Sequence, residues 1–173
     1  KHLNDPKIKK VYLAFKKQLH SQIKNEKFCI GVSGGPDSLA LAFLCKIFSK
    51  EFNSKFVALI IDHNLRKQSG IEARKVKKIL TKHKIKAKIL TWKGKIPKSN
   101  IQFNARNIRY FLLKKECNKL NIKNLVLAHH ESDLIENFFI RLFRGSGLKG
   151  LSSLNVKRHS EDNILNLIRP LIN

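Results

Sequence analysis

The sequence is poor in acid, has few cysteines and contains no long apolar run, and each scarcity removes a class of protein. No stretch of about 18 apolar residues occurs, so a bilayer-spanning helix is excluded and a membrane partner is not expected. The opening residues, Lys1-His2-Leu3-Asn4-Asp5, hold neither an initiator Met nor the apolar core of a secretory signal, as expected of a trimmed product. Cys29, Cys45 and Cys117 are odd in number, widely spaced and set among apolar neighbours, which reads as reduced core thiols in a cytoplasmic protein. No C-x-x-C is present, so a zinc knuckle or an iron–sulfur site has no local signature.

Acid scarcity is the strongest bias. Twelve Asp and Glu stand against 36 Lys and Arg, giving a net charge of +24, far beyond what solubility requires. A polyanion is the expected partner, and lysine-rich composition spread over solvated faces is the competing explanation. Lys9-Lys10, Lys16-Lys17, Lys77-Lys78 and Lys114-Lys115 fall at helix-like positions and suit nonspecific attraction to phosphate.

At 173 residues and 42% hydrophobic content the chain can form one domain with a full core. Ile8, Val11, Leu13, Phe15, Leu19 and Ile23 recur at three- and four-residue steps, predicting an amphipathic helix over 5–23. Strands are predicted at 28–32, 56–61, 86–92 and 124–128, with helices at 37–49, 69–83 and 102–120 between them. Ser69-Gly70-Ile71-Glu72 matches a capping box at a helix start. Alternating strands and helices at this spacing imply right-handed βαβ units: an α/β, doubly wound, Rossmann-like parallel sheet with helices on both faces. Such sheets bind ligands beyond the carboxyl ends of their strands.

The polar motifs fall where that rule requires. Ser33-Gly34-Gly35-Pro36-Asp37-Ser38 lies between the first strand and its helix, where adjacent glycines permit close backbone approach and helix N-terminal amides supply donors for phosphate oxygens. It lacks the lysine of the G-x-x-x-x-G-K-[ST] loop, so it is a different phosphate cradle, or else simply a helix start. Asp62-His63 ends the second strand and is expected to contact adenosine or orient the loop, against an Asp capping a turn. Arg106 and Arg109 are i and i+3 neighbours on a helix, suiting a triphosphate or an RNA backbone; an ordinary basic face is the alternative. His129, His130, Glu131 and Asp133 follow the fourth strand, with Glu136 and Asn137 one turn later. This cluster suits Mg²⁺ positioning or activation of a nucleophile, against acids placed to complement a helix N-terminus. The G-x-G-x-x-G at 145–150 follows a predicted helix instead of a strand, so it fails as a dinucleotide fingerprint and reads as a basic loop or a helix C-cap.

SGGPDS resembles the pyrophosphatase-type loop (PP-loop) of the N-type ATP pyrophosphatases. With DHNLR (62–66), ARNIRY (105–110), LAHHESD (127–133), RLFRGSGLKGL (141–151) and Arg169-Pro170-Leu171, the chain resembles the tRNA(Ile)-lysidine synthases within that group. The resemblance implies an adenine nucleotide α-hydrolase-like fold and one catalytic domain over 1–173, C-terminally truncated relative to fuller members. It implies adenylation of the wobble cytidine of a CAU-anticodon tRNA(Ile) by ATP with Mg²⁺. Free L-lysine then displaces AMP, which makes the enzyme a carbon–nitrogen ligase. By the same resemblance Ser33, Gly34, Gly35, Pro36, Asp37, Ser38, Asp62, His63 and Arg106 would hold ATP. Asp37, Arg109 and Asp133 would be catalytic, with Asp37 and Asp133 the candidate Mg²⁺ ligands. His129, His130, Glu136, Asn137, Arg141 and Arg144 would face tRNA or lysine. A homodimer is compatible with the sequence. A tRNA cytidine thiolase of the same superfamily and a non-catalytic RNA-binding module are the alternatives.

Overall fold

The computed structural model describes residues 5–24, 26–66, 68–95, 99–128, 158–159 and 165–171. The first helix, α1 (Pro6–Ile23), starts where Asp5 accepts hydrogen bonds from the amides of Lys7 (2.8 Å) and Ile8 (3.4 Å), with Pro6 preset for the first turn. It ends at Lys24, whose φ of 44° is left-handed. Its buried stripe is Tyr12, Phe15, Leu19 and Ile23, whereas Ile8, Val11 and Leu13, expected in that stripe, are exposed. The stripe is set by the aromatic core: Phe15 and Phe28 each meet the Phe48 ring edge-on, at 6.3 and 6.4 Å between centroids.

The chain continues through β1 (Phe28–Val32), α2 (Pro36–Glu51), β2 (Phe56–Asp62), α3 (Ser69–Lys82), β3 (Ala87–Thr91), α4 (Ile101–Lys119) and β4 (Asn124–Val126). Two short strands that the sequence reading did not anticipate follow, β5 (Arg158–His159) and β6 (Asn166–Ile168). The sheet order is β3-β2-β1-β4-β6-β5. Five strands run parallel, with Phe28 opposite Phe56 on one side and Asn124 on the other; β5 adds an antiparallel edge. The expected doubly wound sheet is present, its parallel character broken only at that edge.

The two faces carry separate cores. On one, α1, α2 and α3 cover Phe28, Ile30, Ala58 and Ile60; on the other, Leu113 and Cys117 of α4 cover Cys29, Leu59 and Leu125. Alternate residues of β1 therefore point to opposite helix layers, which is why the strand reads as an almost unbroken apolar run. Asn124, at 1% exposure, accepts from the Asn166 amide group (3.1 Å) and donates to Glu26 (2.8 Å), which satisfies a polar start to the β4–β6 ladder.

Candidate nucleotide-binding cleft

The chain turns one way from β1 through β2 to β3 and the other way through β4 to β6, so the switch point lies between β1 and β4. A cleft of about 390 Å³ opens there, a size typical of small-molecule sites. Gly31 and Val32 of β1 and Leu127 and Ala128 after β4 form part of it. Ser33, Gly35, Asp37 and Ser38, His63 and Arg66, Ser69 and Glu72, and Arg109 and Tyr110 supply its polar edge.

Ser38 knots the glycine loop. Its hydroxyl accepts from the Gly34 amide (3.1 Å), donates to the Gly35 carbonyl (2.9 Å) and lies 3.3 Å from the Ser33 hydroxyl. Gly34 has φ of +94°, a conformation costly for L side chains, and a Cβ there would sit 2.7 Å from the Val76 side chain. Gly35 is the N-cap of α2 with no side-chain cap, which leaves the amides of the first turn to an incoming anion, and Pro36 occupies the first helical position. Of the expected ATP-binding residues, Ser33, Gly35, Asp37, Ser38 and His63 line the cleft; Gly34, Pro36, Asp62 and Arg106 do not.

Asp62 lies behind the wall, 6% exposed. Its carboxylate accepts from the Asn64 amide (2.9 Å), the Ser69 hydroxyl (2.7 Å) and the Thr91 hydroxyl (3.4 Å). None of these partners belongs to the Ser33–Ser38 loop, and the bond from the Asn64 amide is the turn-capping arrangement set against the loop-orienting role; the carboxylate ties β2, the following turn, α3 and β3 together. The capping box is not formed, because Ser69 donates to Asp62 and to the Arg66 carbonyl while Glu72 pairs with Arg66 at 3.3 Å. Gln68 becomes the N-cap, without a side-chain bond. Ser69 thus lies inside the first turn instead of at the cap, and its hydroxyl proton goes to a charged acceptor, which makes the stronger bond.

His63 hangs from this anchored turn. Desolvation, then the Arg109 charge, depress its pKa below the ordinary histidine value, with Asp62 partly opposing them. Its Nδ1 is buried and has no hydrogen-bond partner among the described residues. The neutral imidazole therefore presents an unsatisfied polar atom beside a guanidinium, as a site preorganised for a polar ligand does. The expected pairing of Arg106 with Arg109 is not formed, since only Arg109 reaches the cleft. Arg106 is exposed and lies over the Tyr110 ring, 5.6 Å from its centroid. The i, i+3 offset turns Arg106 about 60° around the helix from Arg109.

Asp37 is exposed at the mouth of the cleft. One carboxylate with phosphate oxygens and waters is a usual Mg²⁺ environment, so the donor set fits that ion. His129, His130, Asp133, Glu136, Asn137, Arg141 and Arg144 lie outside the described residues. Sequence reading missed Arg66, Ser69, Glu72 and Tyr110 as site residues; Arg66 and Tyr110 stood inside quoted motifs, and Ser69 and Glu72 were read only as a helix capping box.

All three thiols are buried. Hydrogen bonding to Cys117 and burial push the Cys29 thiol up, and burial alone raises Cys45. They are core groups, as expected, and poorly suited to carrying sulfur.

Comparison with known proteins agrees with this geometry. A tRNA(Ile)-lysidine synthase of Orientia tsutsugamushi is 44% identical over 150 residues, 87% of this chain and 33% of that protein. One from Rickettsia bellii is 44% identical over 85% of this chain and 34% of its own length. The chain thus spans about a third of the length of these curated relatives. Among solved structures, the U34-tRNA thiolase of Methanococcus maripaludis superposes with a TM-score of 0.79 at 22% identity, covering 95% of this chain and 59% of that one. The NH3-dependent NAD synthetase of Campylobacter jejuni superposes with a TM-score of 0.57 at 16% identity, over 95% and 67%. Both likenesses concern the fold. The PP-loop domain family matches residues 6–173, and with the glycine cradle at the switch point of the sheet, the chain belongs to that family.

Proposed function

We propose that this chain is the catalytic unit of a tRNA(Ile)-lysidine synthase. ATP adenylates the 2-oxo position of the wobble cytidine in a CAU-anticodon tRNA(Ile), releasing pyrophosphate. The ε-amine of free L-lysine then displaces AMP, forming the carbon–nitrogen bond. The observation that carries the reading is the cleft itself: a knotted glycine loop, Arg109 and a neutral His63 converge at one sheet edge in a chain 44% identical to such enzymes.

Each residue has a physical task in this scheme. The open amides of α2 and the Ser33 hydroxyl hold phosphate oxygens, and the +94° turn at Gly34 brings the backbone close. Arg109 stabilises charge growing on the transferring phosphoryl group, in a cleft walled by Ile60, Leu113 and Leu127 where water screens it less. His63 Nδ1 gains a polar partner in the nucleotide. Asp37, with Asp133, would hold Mg²⁺, which supplies charge neutralisation to the phosphates. The site of action is the cytoplasm, where tRNA resides.

Arg109→Ala tests the assignment. A loss of about 100-fold or more in tRNA-dependent pyrophosphate release is expected, with Arg109→Lys recovering only part of it. Full activity in Arg109→Ala would remove the residue from the mechanism.

A further inference from the structure

The outward face of α4 carries a feature that nucleotide binding leaves unused. The helix buries Ile108, Leu113, Glu116 and Cys117, yet Phe103 is 65% exposed and Phe111 55% exposed. Arg106 lies over the Tyr110 ring, and Trp92 meets Phe111 edge-on at 6.1 Å and 90°. Tyr110 also lines the cleft, and the Trp92 amide donates to the Asp62 carbonyl at 2.9 Å, so this aromatic group is continuous with the site wall.

We infer that Phe103, Arg106, Tyr110 and Phe111 form a stacking ledge for the unpaired nucleotides that flank the reacting base. The inference rests on the RNA-modifying reading above and adds the surface that presents the substrate. Phe103 and Tyr110 are seven residues apart, a rise of about 10 Å along a helix. Stacked nucleotides advance about 3.4 Å each, so the ledge accommodates about three. Bases offer π faces that aromatic rings and guanidinium planes accept without regard to sequence. A guanidinium laid on a tyrosine ring extends that plane and brings a cation to the accompanying phosphates.

Charge selects the occupant. Glu116 is the only carboxylate of α4; it is buried and paired with Lys88 at 2.6 Å, so α4 itself sets no exposed acid beside Arg106. An apolar protein segment would cover the phenylalanines but desolvate Arg106 against nothing anionic, whereas an RNA strand satisfies both.

The test uses an RNA hairpin with CAU in its loop and a 2-aminopurine beside the cytidine, and a fully paired duplex of equal charge. Phe103→Ala should weaken hairpin binding about tenfold and abolish the quenching of 2-aminopurine, while duplex affinity stays within twofold. Phe103→Trp should restore both hairpin readouts, and circular dichroism melting verifies that each variant folds. Trp92, the single tryptophan, gives an independent emission signal on hairpin binding. Unchanged hairpin affinity in Phe103→Ala and Arg106→Ala would assign the ledge to a protein segment and overturn the inference, as would equal losses for hairpin and duplex. The two readings separate cleanly. Ring-dependent hairpin binding by a chain that incorporates no lysine would keep the ledge and sink the lysidine assignment. Lysine incorporation with an unchanged tRNA KM in Phe103→Ala would do the reverse.

Discussion

His63 shows how one residue's surroundings set its chemistry. Because burial and Arg109 depress its folded pKa, the neutral form dominates in the native state. Between the unfolded value, about 6.5, and the lower folded value, the unfolded chain binds more protons than the native one. His63 therefore contributes stability that is present above about pH 6.5 and lost as pH falls through the folded value. A triphosphate in the cleft would attract a proton to the ring, so ATP should raise the His63 midpoint. Imidazole NMR titrations should show a free-state midpoint below the ordinary value and an upward move with ATP; no movement would place the phosphates elsewhere. The sequence placed His63 at the sheet edge because a strand end is legible in an apolar run. It did not reveal that Arg106 and Arg109 part company, since a three-residue helical offset fixes a separation but not which side chain a packed core turns inward.

At the level of elements, α1 to α4 and the first four strands were legible, each marked by an apolar run bounded by Gly, Pro or polar clusters. The misread stripe of α1 has a specific cause. Tyr12 replaces the aliphatic positions inside because its hydroxyl donates to Glu51 at the end of α2, and Lys16 pairs with the same carboxylate at 2.8 Å. Hydropathy ranks tyrosine below isoleucine, but here its polar tip finds a partner and its ring fills the core. The strands β5 and β6 escaped because two and three residues carry too little periodicity to stand out. The helix α4 is secured by the pair of Lys88 with Glu116, the latter 7% exposed. Removing the ammonium leaves a buried carboxylate without its partner, so Lys88→Ala should cost about 1–3 kcal/mol in urea unfolding. The double variant Lys88→Met with Glu116→Leu should recover most of that loss; a double variant destabilised by the sum of the two single losses would show that the side chains are not coupled.

Across the whole molecule, the net charge of +24 and the cleft at the switch point belong to one account. Alternation of strands and helices forecast a doubly wound sheet, and the glycine loop after β1 forecast where the ligand would sit, because those follow from chain geometry. The contacts made by Ser69, Glu72 and Asp62 depend on residues six to twenty-nine positions apart meeting in space, which no local pattern encodes. Charge alone attracts any RNA, whereas the cleft should act on one base. The decisive measurement mixes the protein with ATP, radiolabelled lysine and transcripts of tRNA(Ile) carrying either a CAU or a GAU anticodon. The account predicts lysine incorporation into the CAU transcript, dependent on ATP and absent from the GAU transcript. Folded protein that binds both transcripts but attaches lysine to neither would contradict it.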